Sequence, residues 1–488
     1  MPVLSCDEAR ALESKLFGGD ESKEWPAMQR AGRAIAAALR RDGEEMGGCP
    51  ANARLLVLAG KGHNGGDALI AAHALLETLP GARADVVFVF GERALRPLAA
   101  RAWRELAQFA GERVMVRIAT GLDVGYDLCL DGVFGFQFRA PAQPRVARLL
   151  RCVNALSIRF RAAVDLPSAG IFRADFTYAT GSVKAPVLGA PEAGRVRYLD
   201  LDFFGGAEAA GERVLTREVL APLAALRPAQ TDKRTYGHVF VVGGSRSFPG
   251  AALMTVLAAI RSGAGLVTAF VPESLVPAFA ARAPEAMWVG WPETPEGGLA
   301  LEGESLLHAR IERATALVLG PGLGREKETL VLAESLVQRA TVPVVIDADA
   351  LQPAIVAAGK AARILTPHAG EFARIARNDK PAVLAKVMGA TVVLKGPVTQ
   401  ICTSEGKTGT TYHSLFGGPV LARGGSGDIL AGLIGGLLAQ TPNDPALAAA
   451  RGVVWHGLAA DALARAHGQV AVRTTQVLKF LARALRET

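Results

Sequence analysis

The sequence predicts an α/β protein built from two doubly wound domains. Three observations carry this. The 488 residues exceed what one ordinary core organises and fit two large domains. Short apolar runs alternate with segments of helical spacing in two successive series. The 54 glycines lie mainly beside those runs, as where strands turn tightly into helices.

Taken in order, residues 10–41 carry apolar and alanine positions at helical spacing and predict packed helices. A first sheet is expected from strands at 54–59, 84–90, 127–130 and 162–165, alternating with helices near 67–79, 94–110 and 142–156. Between about 205 and 235 the alternation breaks. A second series starts with strand 238–242 and continues through 265–271, 316–319, 342–347, 363–366 and 391–394, with helices between them and after Gly427. The expected division is a domain over 1–215, a linker over 216–235 and a domain over 236–488. The glycine motifs of the two halves differ, so no internal repeat relates them.

The net charge of +8 is spread over both halves without a basic tail or block. That excludes the clustered footprint of a nucleic-acid binder and mildly favours anionic small molecules. Five cysteines, in odd number and without a CxxC pair, read as reduced thiols. With no signal core and no run of about 18 apolar residues, the expected location is the cytoplasm, with no membrane partner.

The string Gly60-Lys61-Gly62-His63-Asn64-Gly65-Gly66-Asp67 follows a strand and opens a helix. Glycines there let the backbone approach a ligand and present N–H groups to an anion. The spacing matches neither a GxGxxG fingerprint nor a Walker loop; alone, it is also compatible with a plain strand-to-helix turn. Asp131 and Asp165, the latter followed by Ser168, stand at later strand ends. Ligands of open α/β sheets sit outside the carboxyl ends of the strands, so these side chains are expected to converge with Asn64 and Asp67, and their oxygens suit a hard cation.

At these residues the first half resembles the YjeF N-terminal family, a Rossmann-like fold whose members epimerise hydrated NADH and NADPH. His63 to Asp67 resembles the family's NNGGD motif, residues 131–141 its Asp-led loop, and residues 164–168 its VDxPSG motif. The resemblance implies potassium at Asn64, Asp131 and Ser168. It implies NADPHX contacts from His63, Asn64, Gly65, Gly66 and Asp67, from Gly135, Phe136, Gln137, Phe138, Arg139, Ala140 and Pro141, and from Asp165, the acid/base candidate. The chain departs from the family at His63, at Gln137, at Ala169 between Ser168 and Gly170, and in a shortened segment from Gly170 to residues 174–177.

In the second half Gly424-Gly425-Ser426-Gly427-Asp428 carries the most chemistry. Consecutive glycines before a helix build a backbone anion hole, and a carboxylate at its mouth can accept a hydroxyl proton during phosphoryl transfer. Lys395-Gly396-Pro397-Val398-Thr399 follows a strand and could offer nucleotide contacts; His368 and Glu371 stand at another strand end.

These motifs, with the glycine turns at 243–245 and 320–324 and the Asp347-Ala348-Asp349-Ala350-Leu351 string, resemble the NAD(P)HX dehydratase branch of the ribokinase-like superfamily. The resemblance implies hydrate contacts at Ala252, Gly322, His368 and Asp428, and nucleotide contacts at Lys395, Gly396, Pro397, Val398, Thr399 and Gly427. ADP or ATP with Mg2+ would phosphorylate the ring hydroxyl of NADHX or NADPHX, with Asp428 as base. Arg423 stands where the family has Thr. The alternative is a small-molecule kinase with a non-catalytic N-terminal binding module; self-association into a homo-oligomer is left open.

Overall fold

The structure is a computed structural model that describes residues 1–122, 125–205, 211–376, 379–404 and 409–487. The chain forms two compact units, Met1–Ala209 and Ala210–Thr488.

The first unit is organised by a seven-stranded sheet: β1 (Arg54–Ala59), β2 (Arg83–Phe88), β3 (Val114–Val116), β4 (Tyr126–Gly132), β5 (Ile158–Val164), β6 (Phe176–Thr180) and β7 (Arg195–Leu199). All pairs are parallel and the spatial order is β3-β2-β1-β4-β5-β6-β7. A parallel sheet is covered on both faces, which is why β1 is an unbroken apolar run with Leu55 to Leu58 all buried. Helices Glu21–Gly43 and His63–Thr78 pack closely, because Gly32 leaves room for Ile70. The order reverses between β1 and β4, the crevice where ligands of such sheets bind. Ahead of the sheet, Val3 and Leu4 pair in parallel with Val183 and Lys184. Helix Cys6–Phe17 follows, started by a capping box between Ser5 and Glu8.

The second unit holds a ten-stranded sheet: β8 (Arg213–Val214), β9 (His238–Val242), β10 (Leu266–Pro272), β11 (Met287–Trp291), β12 (Ala316–Leu319), β13 (Val344–Ile346), β14 (Arg363–Leu365), β15 (Thr391–Leu394), β16 (Thr399–Cys402) and β17 (Thr411–Ser414). Its order is β8-β17-β16-β15-β14-β13-β12-β9-β10-β11, and only β15-β16 and β16-β17 pair antiparallel. The reversal lies between β9 and β12. Helices Pro249–Arg261 and Ser426–Gln440 cover one face in very close contact. Any side chain at Gly432 would collide with the Thr255 carbonyl, while the Thr255 hydroxyl lies 3.0 Å from the Ala251 carbonyl and 3.1 Å from that of Asp428.

Both units are thus α/β folds with mostly parallel sheets, and every expected strand exists. The edge strands β3, β7, β8 and β11, the inner strand β6 and the β16–β17 hairpin escaped the sequence reading. The segment 216–235 is not an open tether throughout: Arg217–Leu220 and Ala221–Ala224 are helical, and Leu220 is buried in the second unit's core. Leu220, with Val219 and Leu223 packed against the same core, supplies the apolar anchors that hold it there. Among the described residues no helix is long and apolar enough to cross a membrane.

Candidate active sites

A cavity of about 560 Å³ opens at the β1–β4 reversal of the first unit. His63, Asn64 and Gly65 line it from the helix after β1, Gly135, Phe136, Gln137, Phe138 and Arg139 from the loop after β4, and Asp165 from the end of β5. Asp131 and Ser168 lie behind this wall, as does Asp67, whose buried Oδ1 has no partner among the described residues. Gly66, Ala140 and Pro141 do not line the cavity; Gly66 instead leaves room for Met28.

Asp131 is fully buried. Its oxygens accept from the Ser168 hydroxyl at 2.6 Å, the Ser168 N–H at 2.8 Å and the Val133 N–H at 3.2 Å. Burial nevertheless pushes its pKa up to about 6 against those bonds, and no ion pair among the described residues offsets its charge. The Ser168 hydroxyl in turn accepts from the Phe134 N–H at 2.9 Å. Asn64 donates to the Val164 carbonyl at 3.0 Å, and its amide packs so tightly on Gly135 that no larger residue fits there. With the Phe134 and Val164 carbonyls already accepting from the Asn64 amide, the set left for a cation is the side-chain oxygens of Asn64, Asp131 and Ser168, one of them an uncompensated carboxylate. It fits a hard monovalent cation.

Asp165 adopts a left-handed backbone (φ 63°), uncommon outside glycine. The turn aims Oδ1 at three donors: the Thr180 N–H at 2.9 Å, the Thr180 hydroxyl at 2.8 Å and the Lys184 ammonium at 3.0 Å. Lys184 is itself buried, with its ammonium 5.0 Å from the centre of the Phe136 ring. The shortened segment after Ser168 thus still delivers β6 and Lys184 to Asp165. Lys61, Arg96 and Arg139 line the cavity near an aromatic shelf in which Phe134 lies 4.2 Å from Phe138 and 5.8 Å from Phe90. His63 faces Glu24 at 3.3 Å.

In the second unit the glycine loop ends at Gly425, in left-handed conformation (φ 89°), which caps helix Ser426–Gln440. Asp428 sits in the first turn. Burial, and then the charge of Asp347, push its pKa up to about 6, while Lys395 works against them. Lys395 Nζ lies 2.9 Å from Asp347 and 3.8 Å from Glu371. Burial works to lower the Lys395 pKa, but these carboxylates outweigh it and hold it raised. The Lys395 ammonium, one of the expected nucleotide contacts, is thus engaged within the chain. Asp347 also accepts from Thr366 at 2.7 Å, and Asp349 from Arg325 at 3.1 Å.

His368 caps helix Ala369–Ile375: its Nδ1 accepts from the N–H groups of Gly370 and Glu371, and Glu371 accepts from the His368 N–H at 2.8 Å. Ala252 is buried on helix Pro249–Arg261, and Gly322 (φ 68°) follows β12, so both flank the β9–β12 reversal. Gly396 and Pro397 are exposed, with Val398 and Thr399 half-buried beyond them; a side chain at Gly427 would touch the Lys395 ammonium. Arg423 bonds the carbonyls of Gln469, Val470 and Val472 at 2.9, 2.6 and 3.2 Å, and Thr474 donates to the Gly424 carbonyl at 2.9 Å. The arginine therefore fastens the 469–474 segment beside the glycine loop.

Two site residues escaped the sequence reading. Lys184 lies 19 positions beyond Asp165 in a two-residue strand, and Glu13 lines the first cavity from helix Cys6–Phe17. For Lys184 the available signal was a lone cation in an otherwise uncharged run from 176 to 191.

Residues 239–483 match the family model described as NAD(P)H-hydrate dehydratase, and residues 26–187 match that of the YjeF-related protein N-terminus. The chain is 36% identical to a bifunctional NAD(P)H-hydrate repair enzyme of Gloeobacter violaceus, over 95% of this chain and 94% of the relative. It is 32% identical to one from Moorella thermoacetica, over 94% and 92%. A solved ADP/ATP-dependent NAD(P)H-hydrate dehydratase from Bacillus subtilis aligns with 57% of this chain and 99% of its own, at 29% identity and a TM-score of 0.48.

Proposed function

The chain belongs to the family of bifunctional NAD(P)H-hydrate repair enzymes, and from that membership we infer how its own residues divide the work. It is a repair enzyme with an epimerase domain followed by a dehydratase domain, acting on hydrated NADH and NADPH.

The observation that carries the dehydratase assignment is Asp428 at the mouth of the glycine loop, beside the Lys395–Asp347 pair. A base poised near pH 6 is largely ionised at neutrality yet strong enough to take the ring hydroxyl proton. The N–H groups at the start of helix Ser426–Gln440 steady the transferred phosphoryl group, while Ala252, Gly322 and His368 border the hydrate. Once phosphorylated, the oxygen leaves as phosphate as the ring-nitrogen lone pair forms a C=N bond, and loss of a proton from the neighbouring ring carbon to solvent then forms the C=C bond, returns the pair to nitrogen and restores the dihydronicotinamide. With the Lys395 ammonium held by Asp347, nucleotide contacts from 395–399 fall to the backbone and Thr399. Asp347 and Asp349 are already engaged by Lys395, Thr366 and Arg325, so Mg2+ would arrive on the phosphates of ADP or ATP rather than in a protein cage.

In the first unit Asp165, held by Lys184 and Thr180, exchanges protons at the hydrated ring, and the aromatic shelf with Lys61, Arg96 and Arg139 receives the dinucleotide and its phosphates. Potassium held by Asn64, Asp131 and Ser168 would neutralise the buried Asp131 charge. The free cysteines among the described residues agree with a reducing cytoplasm.

Incubating the protein with mixed-epimer hydrate and ADP or ATP, and following both epimers by chromatography, tests the whole reading. Loss of both epimers with recovery of reduced cofactor is expected. A stable phosphorylated product would instead make the second unit a kinase, and persistence of the R-hydrate at its spontaneous rate would make the first a binding module.

A further inference from the structure

Epimerising a carbon that bears a hydroxyl next to a ring nitrogen needs two proton transfers. The nitrogen lone pair expels the hydroxyl, which must be protonated to leave as water. The C–O bond breaks and a C=N bond forms. Water then adds to the other face, the C–O bond reforms, the lone pair returns to nitrogen, and the added water gives up a proton. One carboxyl group at one face is therefore not enough unless it travels around the ring.

Among the described residues, three carboxyl groups line the first cavity: Glu13, Glu24 and Asp165. Glu24 is occupied by His63. Asp165 is fixed at the end of β5 by Lys184 and Thr180. Glu13 comes from a different element, helix Cys6–Phe17, and no hydrogen bond or ion pair with the described residues engages it. This helix is tied to the site at its root, since Leu4 pairs with Lys184, the residue that holds Asp165. The two carboxyls thus meet across one cavity, each carried by an element fixed to the same lysine.

We propose that Glu13 is the second acid/base group of the epimerase, donating the proton that lets the hydroxyl leave as water while Asp165 takes the proton of the water that returns. This rests on the epimerase reading above. After one turnover Glu13 is ionised and Asp165 protonated, the arrangement that serves the opposite epimer; exchange with solvent resets the pair.

The surroundings suit the roles. Burial, then the negative charge of Asp165, push Glu13 up to about 7; Lys184 opposes this and Glu24 adds to it. Buried Asp67 faces the same group from helix His63–Thr78, and Arg10 stands on Glu13's own helix at the cavity wall. Glu13 is thus protonated in part at neutral pH, as an acid must be, while Asp165 carries the donors of an anion.

The test uses the full-length protein without nucleotide, so that the dehydratase is idle, and follows conversion of pure R-hydrate to S-hydrate across pH. Glu13→Gln should slow conversion about a hundredfold, with KM for the hydrate within about twofold, and should abolish the fall in rate on the alkaline side of the profile. Glu13→Asp should restore that limb at reduced rate. Wild-type rate in Glu13→Gln, or a slow variant that keeps the alkaline limb, overturns the proposal. A wild-type protein no faster than the spontaneous reaction would instead remove the epimerase reading itself, so the two failures are distinguishable.

Discussion

The two reversal points of this molecule are built alike and charged differently. In both, a glycine turn follows the first strand of a parallel sheet, and a second loop enters from the strand on its other side. At β1–β4 each carboxylate is buried with its own surroundings: Asp131 among Ser168 and backbone donors, Asp165 with Lys184 and Thr180, Asp67 with one oxygen that has no partner among the described residues. At β9–β12 the half-buried Lys395 bridges buried Asp347 and half-buried Glu371, and half-buried Asp428 stands at a helix N-terminus with no ion pair among the described residues. The first arrangement, with single carboxylates each fixed by its own donors, suits proton transfer. The second gathers charge around one carboxylate at the anion-binding end of a helix, which suits phosphoryl transfer. Two different α/β sheets thus carry different chemistries at the same kind of reversal point, through the residues on their loops.

The sharpest way to break this contrast is Asp428→Asn. It should lower nucleotide-dependent dehydration about a thousandfold while epimer exchange measured without nucleotide stays at the wild-type rate. In the wild type, ionised Asp428 is the active form, so kcat/KM for dehydration should fall about tenfold per pH unit below about 6. A flat acid limb would remove Asp428 as the base.

Asp165→Asn should reduce epimer exchange about a hundredfold and leave dehydration of pure S-hydrate untouched. If both activities fall together, the two sites are not independent. Next in size is Lys184→Met, which strands a buried carboxylate and should destabilise the first unit by about 3 kcal/mol. Accelerated amide exchange confined to β5 and β6 is the readout; unchanged exchange would mean that the Lys184–Asp165 pair contributes little. The smallest effect belongs to Arg423→Thr. Losing its carbonyl contacts should cost about 1 kcal/mol, seen as a roughly fivefold rise in nucleotide KM with kcat held. A fall in kcat instead would place Arg423 nearer the chemistry than the fastening of residues 469–474.

Much of this was legible in the sequence because apolar runs and glycine turns are local signals. Residues 54–59, 238–242, 316–319 and 391–394 read as strands and are strands with those bounds, and Asp428 was singled out from the four small residues before it. What escaped was non-local. Met287–Trp291 lies at a sheet edge, is only partly buried, and its short apolar run is interrupted by Gly290. Glu13 resembles any charged residue on a surface helix until the Val3–Val183 pairing draws that helix to the cavity. Lys395 reads as part of a nucleotide-contacting loop, and its pairing with Asp347 is hidden because nothing in the chain order brings the two together, 48 residues apart. Arg423 stands out in the sequence only as a departure from Thr, and its fastening role is hidden because its partners are carbonyls, which sequence does not display.

The contact between helices Pro249–Arg261 and Ser426–Gln440 has a practical corollary. The Thr255 hydroxyl reaches the carbonyl of Asp428 itself, and Gly432 is pressed on the Thr255 backbone. The backbone of the base is thus part of the seam that closes the second unit's core. Heat inactivation and melting of that unit should follow one curve, so residual dehydratase activity after a heat pulse serves as a thermometer for its fold. By the same token, substitutions that tighten this seam are where shelf life and turnover can be traded against each other.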